Sequence, residues 1–167
     1  AARALEACLD LGSLPDIVLS IGSAGSNTLE QGAVYQATTV SWRDMDASPL
    51  GFAKGVTPFL DHPPEIVLPY RLPDIPTARL STGGAIISGA AYAAIDADMV
   101  DMESFATLRA CQQFGVPLIG LRGISDGASE LHHYDDWTQL LGHLDIELAG
   151  IIDRLPDLLA RAACVAA

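Results

Sequence analysis

Apolar residues along the chain follow two rhythms, one close to four residues and one of two, and glycine or proline separates them. Leu5, Cys8, Leu9 and Leu11 fall on one side of a helix over Arg3–Leu11 that Gly12 ends. Asp16–Gly22 is apolar on both faces and predicts a central strand, followed by a small-residue loop over Ser23–Asn27. Val34–Val40 alternates as a strand does. Ser41–Pro76 holds most of the prolines and predicts ordered loop, with a short extended piece at Ile66–Leu68. So long an irregular stretch is uncommon unless it covers a site or an interface.

The second half is more regular. Arg79–Thr82 predicts a strand running into Gly83-Gly84, and Ser88–Ile95 a short helix. A short apolar segment ends at Val100. Ser104–Phe114 then carries Phe105, Leu108 and Cys111 or Gln112 at helical spacing, Gly115 stops it, and Pro117–Ile124 is an apolar run of strand length. Tyr134–Ala163 reads as largely helical, with a stripe of Leu140, Leu141, Leu144, Leu148, Ile151, Ile152 and Leu155, and with Pro156 beginning or kinking its last segment. Helices alternating with apolar strands predict an α/β sheet wrapped by helices, in a single domain over residues 1–167.

Charge narrows the partners. The 167 residues carry 21 acids against 9 bases, a net charge of −12, and Lys54 is the only lysine. No basic run exists to displace phosphate counterions, which argues against nucleic acid or an anionic membrane as a partner and favours a small neutral or zwitterionic molecule. Cys8, Cys111 and Cys164 lack the spacing of a disulfide framework or zinc knuckle, so a reducing cytoplasmic setting is expected. The apolar runs are too short to span a bilayer as a helix.

Two acidic clusters, Asp101-Met102-Glu103 and Ser125-Asp126, sit at the ends of the strands that flank the Ser104–Phe114 helix. Carboxylates at strand ends gather at the sheet edge where ligands bind. A partly desolvated Asp126 suits a general acid, and Glu103 could accept from both hydroxyls of a vicinal diol beside the adaptable surface of Met102. Each also has a plainer reading: Asp126 as a helix cap or loop residue, and Asp101 with Glu103 as charges favoured at a helix start. Ser23-Ala24-Gly25 and Gly83-Gly84-Ala85-Ile86-Ile87 are small-residue turns that allow backbone N–H groups close to a ligand, and neither is a P-loop or a GxGxxG dinucleotide turn. Ser23, Asp126 and His132 or His133 follow the chain order of an α/β-hydrolase triad, but Ile21-Gly-Ser-Ala-Gly25 lacks the first glycine of the nucleophile elbow. Adjacent His132 and His133 point apart with no third ligand spaced to join them, so no metal site is expected.

Taken in order, Asp16-IVLSIGSAGS-Asn27, Leu80-STGGAIISG-Ala90, Val100-DMES-Phe105 and Val116-PLIGLRGISDGAS-Glu130 resemble the purine nucleoside phosphorylase and nucleosidase superfamily, and within it the 5′-methylthioadenosine/S-adenosylhomocysteine nucleosidases. The Val-Asp-Met-Glu and Arg-x-Ile-Ser-Asp pair is the specific part. The resemblance implies a three-layer phosphorylase/hydrolase-like fold, with a central mixed twisted sheet flanked by helices, and hydrolysis of an adenine nucleoside without a cofactor. It assigns Glu103 to the ribose 2′ and 3′ hydroxyls, Met102 to the sugar face with Asp101 beside it, and Asp126 to protonation of purine N7, oriented by Ser125. Ser23, Ala24 and Gly25 would border the ribose, Ile86 and Ile87 the adenine, Arg122 the water site, and Tyr134 or Trp137 the 5′ substituent. Arg43–Phe52 matches the segment that reaches across a dimer interface in that family, so a homodimer through residues 41–76 is implied.

The chain also departs from that pattern. Gly83-Gly84-Ala85-Ile86 stands where relatives commonly have Gly-Asp-Ser/Ala-Phe, which removes an aromatic partner for the base, and Asp101 stands where many have Glu. The family's first strand supplies a water-activating glutamate, and phosphorylases bind phosphate on a Gly-x-Gly turn of an early strand; no segment here matches either. With no capping residue before the first helix, the expectation is that an N-terminal segment of about 40 to 60 residues, two strands and a turn, precedes Ala1. Phosphorolysis by a purine nucleoside phosphorylase, or nucleoside binding without chemistry on the same scaffold, are the alternatives to hydrolysis.

Overall fold

The structure is a computed structural model, and it describes residues 1–60, 62–127 and 129–164. Its elements, in chain order, are α1 (Ala2–Asp10), β1 (Val18–Gly25), β2 (Val34–Trp42), β3 (Glu65–Val67), β4 (Tyr70–Arg71), β5 (Thr77–Thr82), β6 (Met99–Asp101), α2 (Ser104–Gln113), β7 (Leu118–Asp126), α3 (Tyr134–Thr138), α4 (Leu141–Asp153), α5 (Leu155–Ala160) and β8 (Ala163–Cys164). Short 3-10 turns occupy Ser48–Leu50 and Gly89–Ala94. The main sheet is mixed, in the order β3-β2-β5-β6-β1-β7. It curls until β7, parallel to β1, also pairs antiparallel with β2 through Val34–Gly123, Tyr35–Arg122 and Gln36–Leu121.

Strand β7 is the spine of the molecule. All nine of its residues are buried, because helices cover both faces. Leu118 and Ile124 face a core shared with Leu5 of α1 and Leu108 and Cys111 of α2, while Ile119 and Leu121 face a second core with Leu148, Ile151 and Leu158 of α4 and α5. The period-two alternation of one strand therefore divides the interior into two cores. The helical stripe at the C-terminal end is used selectively: Leu144, Leu148 and Ile151 are buried, whereas Ile152 is exposed.

Several expectations shift. Ser23, Ala24 and Gly25 are strand, not loop, because their backbone continues the β7 ladder, with a register shift between Ala24 and Gly25. Strand β1 lies inside the sheet order, yet it meets β6 only at Gly25–Val100, and Ile21 is half exposed. The last helical run ends at Ala160. Ala163 and Cys164 instead pair with Arg71 and Tyr70 as a small second sheet, a long-range pairing that local periodicity does not encode. Pro156 sits in the first turn of α5, where its missing N–H costs nothing.

Close packing of α4 on the spine depends on Gly123. A Cβ there would stand 2.6 Å from Leu144 Cδ2 and 3.0 Å from Cγ. Leu144 is 2 % exposed and has little room to withdraw. Gly123→Ala should therefore cost about 1–3 kcal/mol by overpacking, and Leu144→Ala about 2–5 kcal/mol by cavity formation. The double variant should be more stable than the sum of the two losses predicts. Denaturant melts of the three variants check this; strict additivity would mean that the two sites do not meet.

Candidate active site

The candidate site forms where several strands end together. Thr82 of β5 pairs with Asp101 of β6, Val100 with Gly25 of β1, and Gly25 with Asp126 of β7, so these positions come to one level of the sheet. Helix α2 starts immediately beyond β6. Its first N–H groups, which have no partner within the helix, are satisfied from the sheet: Ser104 N donates to the Asp101 carboxylate at 3.2 Å and Phe105 N to Thr82 Oγ1 at 3.1 Å. The turn of chain carrying Met102 and Glu103 is thereby held against the strand ends.

Beneath this turn lies Arg122, 2 % exposed. Its Nε donates to Asp101 Oδ2 at 3.0 Å and its Nη2 to Ser104 Oγ at 2.5 Å and Ser20 Oγ at 3.1 Å. Nη1 donates to the carbonyls of Ser20 and Leu121. Thr82 Oγ1 donates to the other Asp101 oxygen at 2.6 Å. The buried charge is thus paired and hydrogen-bonded on every side. Arg122 does not line the cavity above it, and the Asp101 carboxylate, though at the cavity wall, is occupied by these internal partners.

The cavity has a volume of about 570 Å³, within the range of small-molecule sites. Ser23, Ala24, Gly25, Ile86, Ile87, Asp101, Met102, Glu103, Ser125, Asp126, Tyr134 and Trp137 all line it, so chain segments more than a hundred residues apart share one wall. Met102, Glu103, Ile86 and Tyr134 are exposed there. Glu103 occupies the N-cap position of α2 without a capping bond from its side chain; Oε2 accepts only a 3.3 Å contact from Met102 N among the described residues. Asp126 is 6 % exposed, and its Oδ1 accepts the Ser125 hydroxyl at 2.7 Å. One carboxylate is held, and the other projects to solvent.

Arg43, Val100, Leu131, His132 and His133 also line the cavity. Arg43, from the segment expected to serve a neighbouring subunit, faces the cavity of its own chain. Its guanidinium spans the Gly83–Ala85 turn, with Nη1 donating to the carbonyls of Ser81 (2.6 Å) and Asp101 (3.0 Å) and Nη2 to those of Gly83 (3.0 Å) and Ala85 (2.7 Å). Burial pulls its pKa below the ordinary arginine value, and the charges of Asp44 and Asp101 oppose that. Asp44 Oδ2 clamps the same turn by accepting from Gly84 N at 2.6 Å. The signal in the sequence was the Arg43-Asp44 pair directly after a strand. His132 and His133 stand at the rim, His132 3.4 Å from Glu130 and both backbone N–H groups donating to Asp136. Among the described residues no cluster of His, Cys, Asp or Glu is arranged to hold a metal ion.

One further residue touches this site from behind. Tyr92 is 5 % exposed, and its ring anchors the Gly89–Ala94 turn. Its hydroxyl reaches the level of Gly25, where a Cβ would stand 2.5 Å from both Tyr92 Oη and Asp126 Oδ2. A large aromatic alone among alanines was the available sequence signal.

Comparison with known proteins agrees with this geometry. Residues 80–155, which include both acidic clusters, match the family described as the phosphorylase superfamily. A 5′-methylthioadenosine/S-adenosylhomocysteine nucleosidase of Actinobacillus succinogenes is 31% identical over 133 residues, covering 69% of this chain and 58% of the relative. The chain therefore spans less than two thirds of that relative's length. The fold is that of the crystal structure of the Campylobacter jejuni 5′-methylthioadenosine/S-adenosylhomocysteine nucleosidase, at TM-score 0.74 and 20% identity over 94% of this chain and 76% of that one. It also matches the futalosine hydrolase of Helicobacter pylori, at TM-score 0.63 and 20% identity over 87% and 73%. The acidic clusters thus lie inside the span that matches the phosphorylase superfamily, on a fold shared with the nucleosidases.

Proposed function

We propose that the protein hydrolyses the N-glycosidic bond of an adenine nucleoside of the 5′-methylthioadenosine or S-adenosylhomocysteine kind and releases adenine. The observation that carries this reading is one cavity shared by a nearly buried Asp126, oriented through Ser125, and an exposed Glu103. Adenine leaves poorly as an anion and readily as a neutral base. Asp126 protonates N7 as the C1′–N9 bond breaks, and Glu103 accepts from the ribose 2′ and 3′ hydroxyls as the sugar becomes oxocarbenium-like. Met102 packs on the sugar, Ser23, Ala24 and Gly25 border it, Ile86 and Ile87 flank the base, and Tyr134 with Trp137 covers the 5′ substituent. Asp101 and Arg122 act from below, by holding the Met102–Glu103 turn in place.

The same scaffold could use phosphate in place of water, or bind without reacting. Free adenine measured from methylthioadenosine, with and without phosphate, separates the three. Release without phosphate supports hydrolysis; release only with phosphate means phosphorolysis; binding without release means a carrier.

The subunit arrangement is part of the proposal. Residues 41–76, of which Asp61 lies outside the described residues, present Leu50 and Phe59 at 77% and 98% exposure, with Phe52 edge-on to Phe59. Apolar groups gathered in this way favour a homodimer contact. Three free cysteines suit a reducing, cytoplasmic setting.

Asp126→Asn should lower kcat by about 10²- to 10⁴-fold, the usual worth of general acid help, with KM changed little. Unchanged kcat would remove Asp126 from the chemistry. Glu103→Gln should weaken cleavage of the ribonucleoside far more than of its 2′,3′-dideoxy analogue, because a neutral amide accepts poorly and presents a mismatched donor; equal losses would exclude diol binding. For the contact surface, Phe59→Glu should convert a dimer to a monomer in sedimentation. A native protein that sediments as a monomer at every concentration would dismiss the interface.

A further inference from the structure

Asp126 has two carboxyl oxygens in different surroundings. Oδ1 is taken by the Ser125 hydroxyl at 2.7 Å. Oδ2 and the Tyr92 hydroxyl crowd the same face of Gly25, each 2.5 Å from where a side chain's Cβ would stand. The phenol oxygen is fully buried and has no hydrogen-bond partner at bonding geometry among the described residues. Such a group is costly to leave unpaired, so it is poised to bond to the nearest polar atom that can move to meet it. Tyr92 does not line the cavity, so it meets Asp126 from the protein side and leaves the substrate side open.

We propose that Tyr92 is a positioning residue for Asp126, donating its phenol O–H to Oδ2 as that carboxyl gives up its proton. The inference rests on Asp126 being the acid of the proposed reaction. In the step itself, the C1′–N9 bonding pair passes to the departing base, and the Asp126 proton moves to N7. The phenol keeps its own proton while bonding to the new carboxylate. Water adds at C1′, and its spare proton returns through solvent to restore Asp126. Because the phenol bonds more strongly to the carboxylate than to the neutral acid, it stabilises the side of the step that forms negative charge. Burial, reinforced by the charge of Asp126, pushes the Tyr92 pKa upward, which keeps the donor protonated throughout. Gly25 is the position that permits this approach: a Cβ there would stand 2.5 Å from each of the two oxygens.

The test compares two substrates that share a sugar. One is methylthioadenosine, whose base needs a proton to leave. The other is the 4-nitrophenyl 5-methylthioribofuranoside, whose leaving group needs none. Tyr92→Phe keeps the ring and its packing and should lower kcat on methylthioadenosine by about 10- to 100-fold, the worth of one hydrogen bond to a charged group. KM should stay within about twofold, and the nitrophenyl substrate should be unaffected. Equal losses on both substrates, or no loss on either, would overturn the proposal. Asp126→Asn on the same pair keeps the two readings apart. A selective loss there without one in Tyr92→Phe removes Tyr92 alone. No selective loss in Asp126→Asn removes the acid and the role of Tyr92 together. A second measurement leaves the fold untouched: 3-fluorotyrosine at position 92 should show a fluorine resonance that shifts on Asp126→Asn, and an unmoved resonance would also overturn the proposal.

Discussion

The buried ion pair between Arg122 and Asp101 is the interaction on which the arrangement of the site depends. One guanidinium, at the centre of the spine strand, reaches the end of β6, the first turn of α2 and the backbone and side chain of β1. Removing either charge would strand the other in the interior, which typically costs about 3–5 kcal/mol. Thr82 and the Ser104 N–H complete the Asp101 shell, so the pair is satisfied as a network and not as two isolated charges. What it holds in place is the short turn of Met102 and Glu103, whose side chains face the cavity. Charge in the interior here has a geometric purpose: it aims an exposed carboxylate.

The cavity wall above is assembled from pieces that share no local sequence logic. Arg43 spans the Gly83–Ala85 turn by donating to four carbonyls, and Asp44 clamps the turn from its N–H side. The Ile86-Ile87 wall therefore takes its position from β2, the strand that β7 meets when the sheet curls back. A flatter sheet would leave β2 and β7 far apart, with β5, β6 and β1 between them. Closure brings the residue pair that follows β2 to the same mouth as Asp126 at the end of β7.

The two cores on either side of β7 reinforce this geometry. Even-numbered residues of the strand pack under α2 and carry Arg122 among them, while odd-numbered residues meet α4 and α5. Gly123 belongs to the second set, and its missing side chain lets Leu144 seat α4 directly on the strand. The spine is gripped from both sides, which keeps the backbone of Ser125 and Asp126 still where the strand leaves the core. A nearly buried acid on a rigid strand end is well suited to a step that depends on the direction of one O–H bond.

The alternating and helical patterns were legible because burial leaves a one-dimensional trace: β2, β5, β7, α1, α2 and α4 all lie where periodicity put them. The acid clusters were legible as well, since strand ends in such sheets come to one edge, and the residues around Asp126 and Glu103 do share a cavity wall. Other features needed the third dimension. The pairing of Ala163 and Cys164 with β4, the half-exposed Ile21 and the closure of β2 on β7 depend on contacts across distant stretches of chain. Side-chain direction was equally hidden. Arg43 could have pointed outward to a second subunit, and nothing near Tyr92 in the sequence says that its hydroxyl comes to the face of Gly25 that Asp126 also crowds. Periodicity reports which face of an element is buried, but the atom that a buried polar group meets is set by packing between elements, and only the tertiary structure decides that.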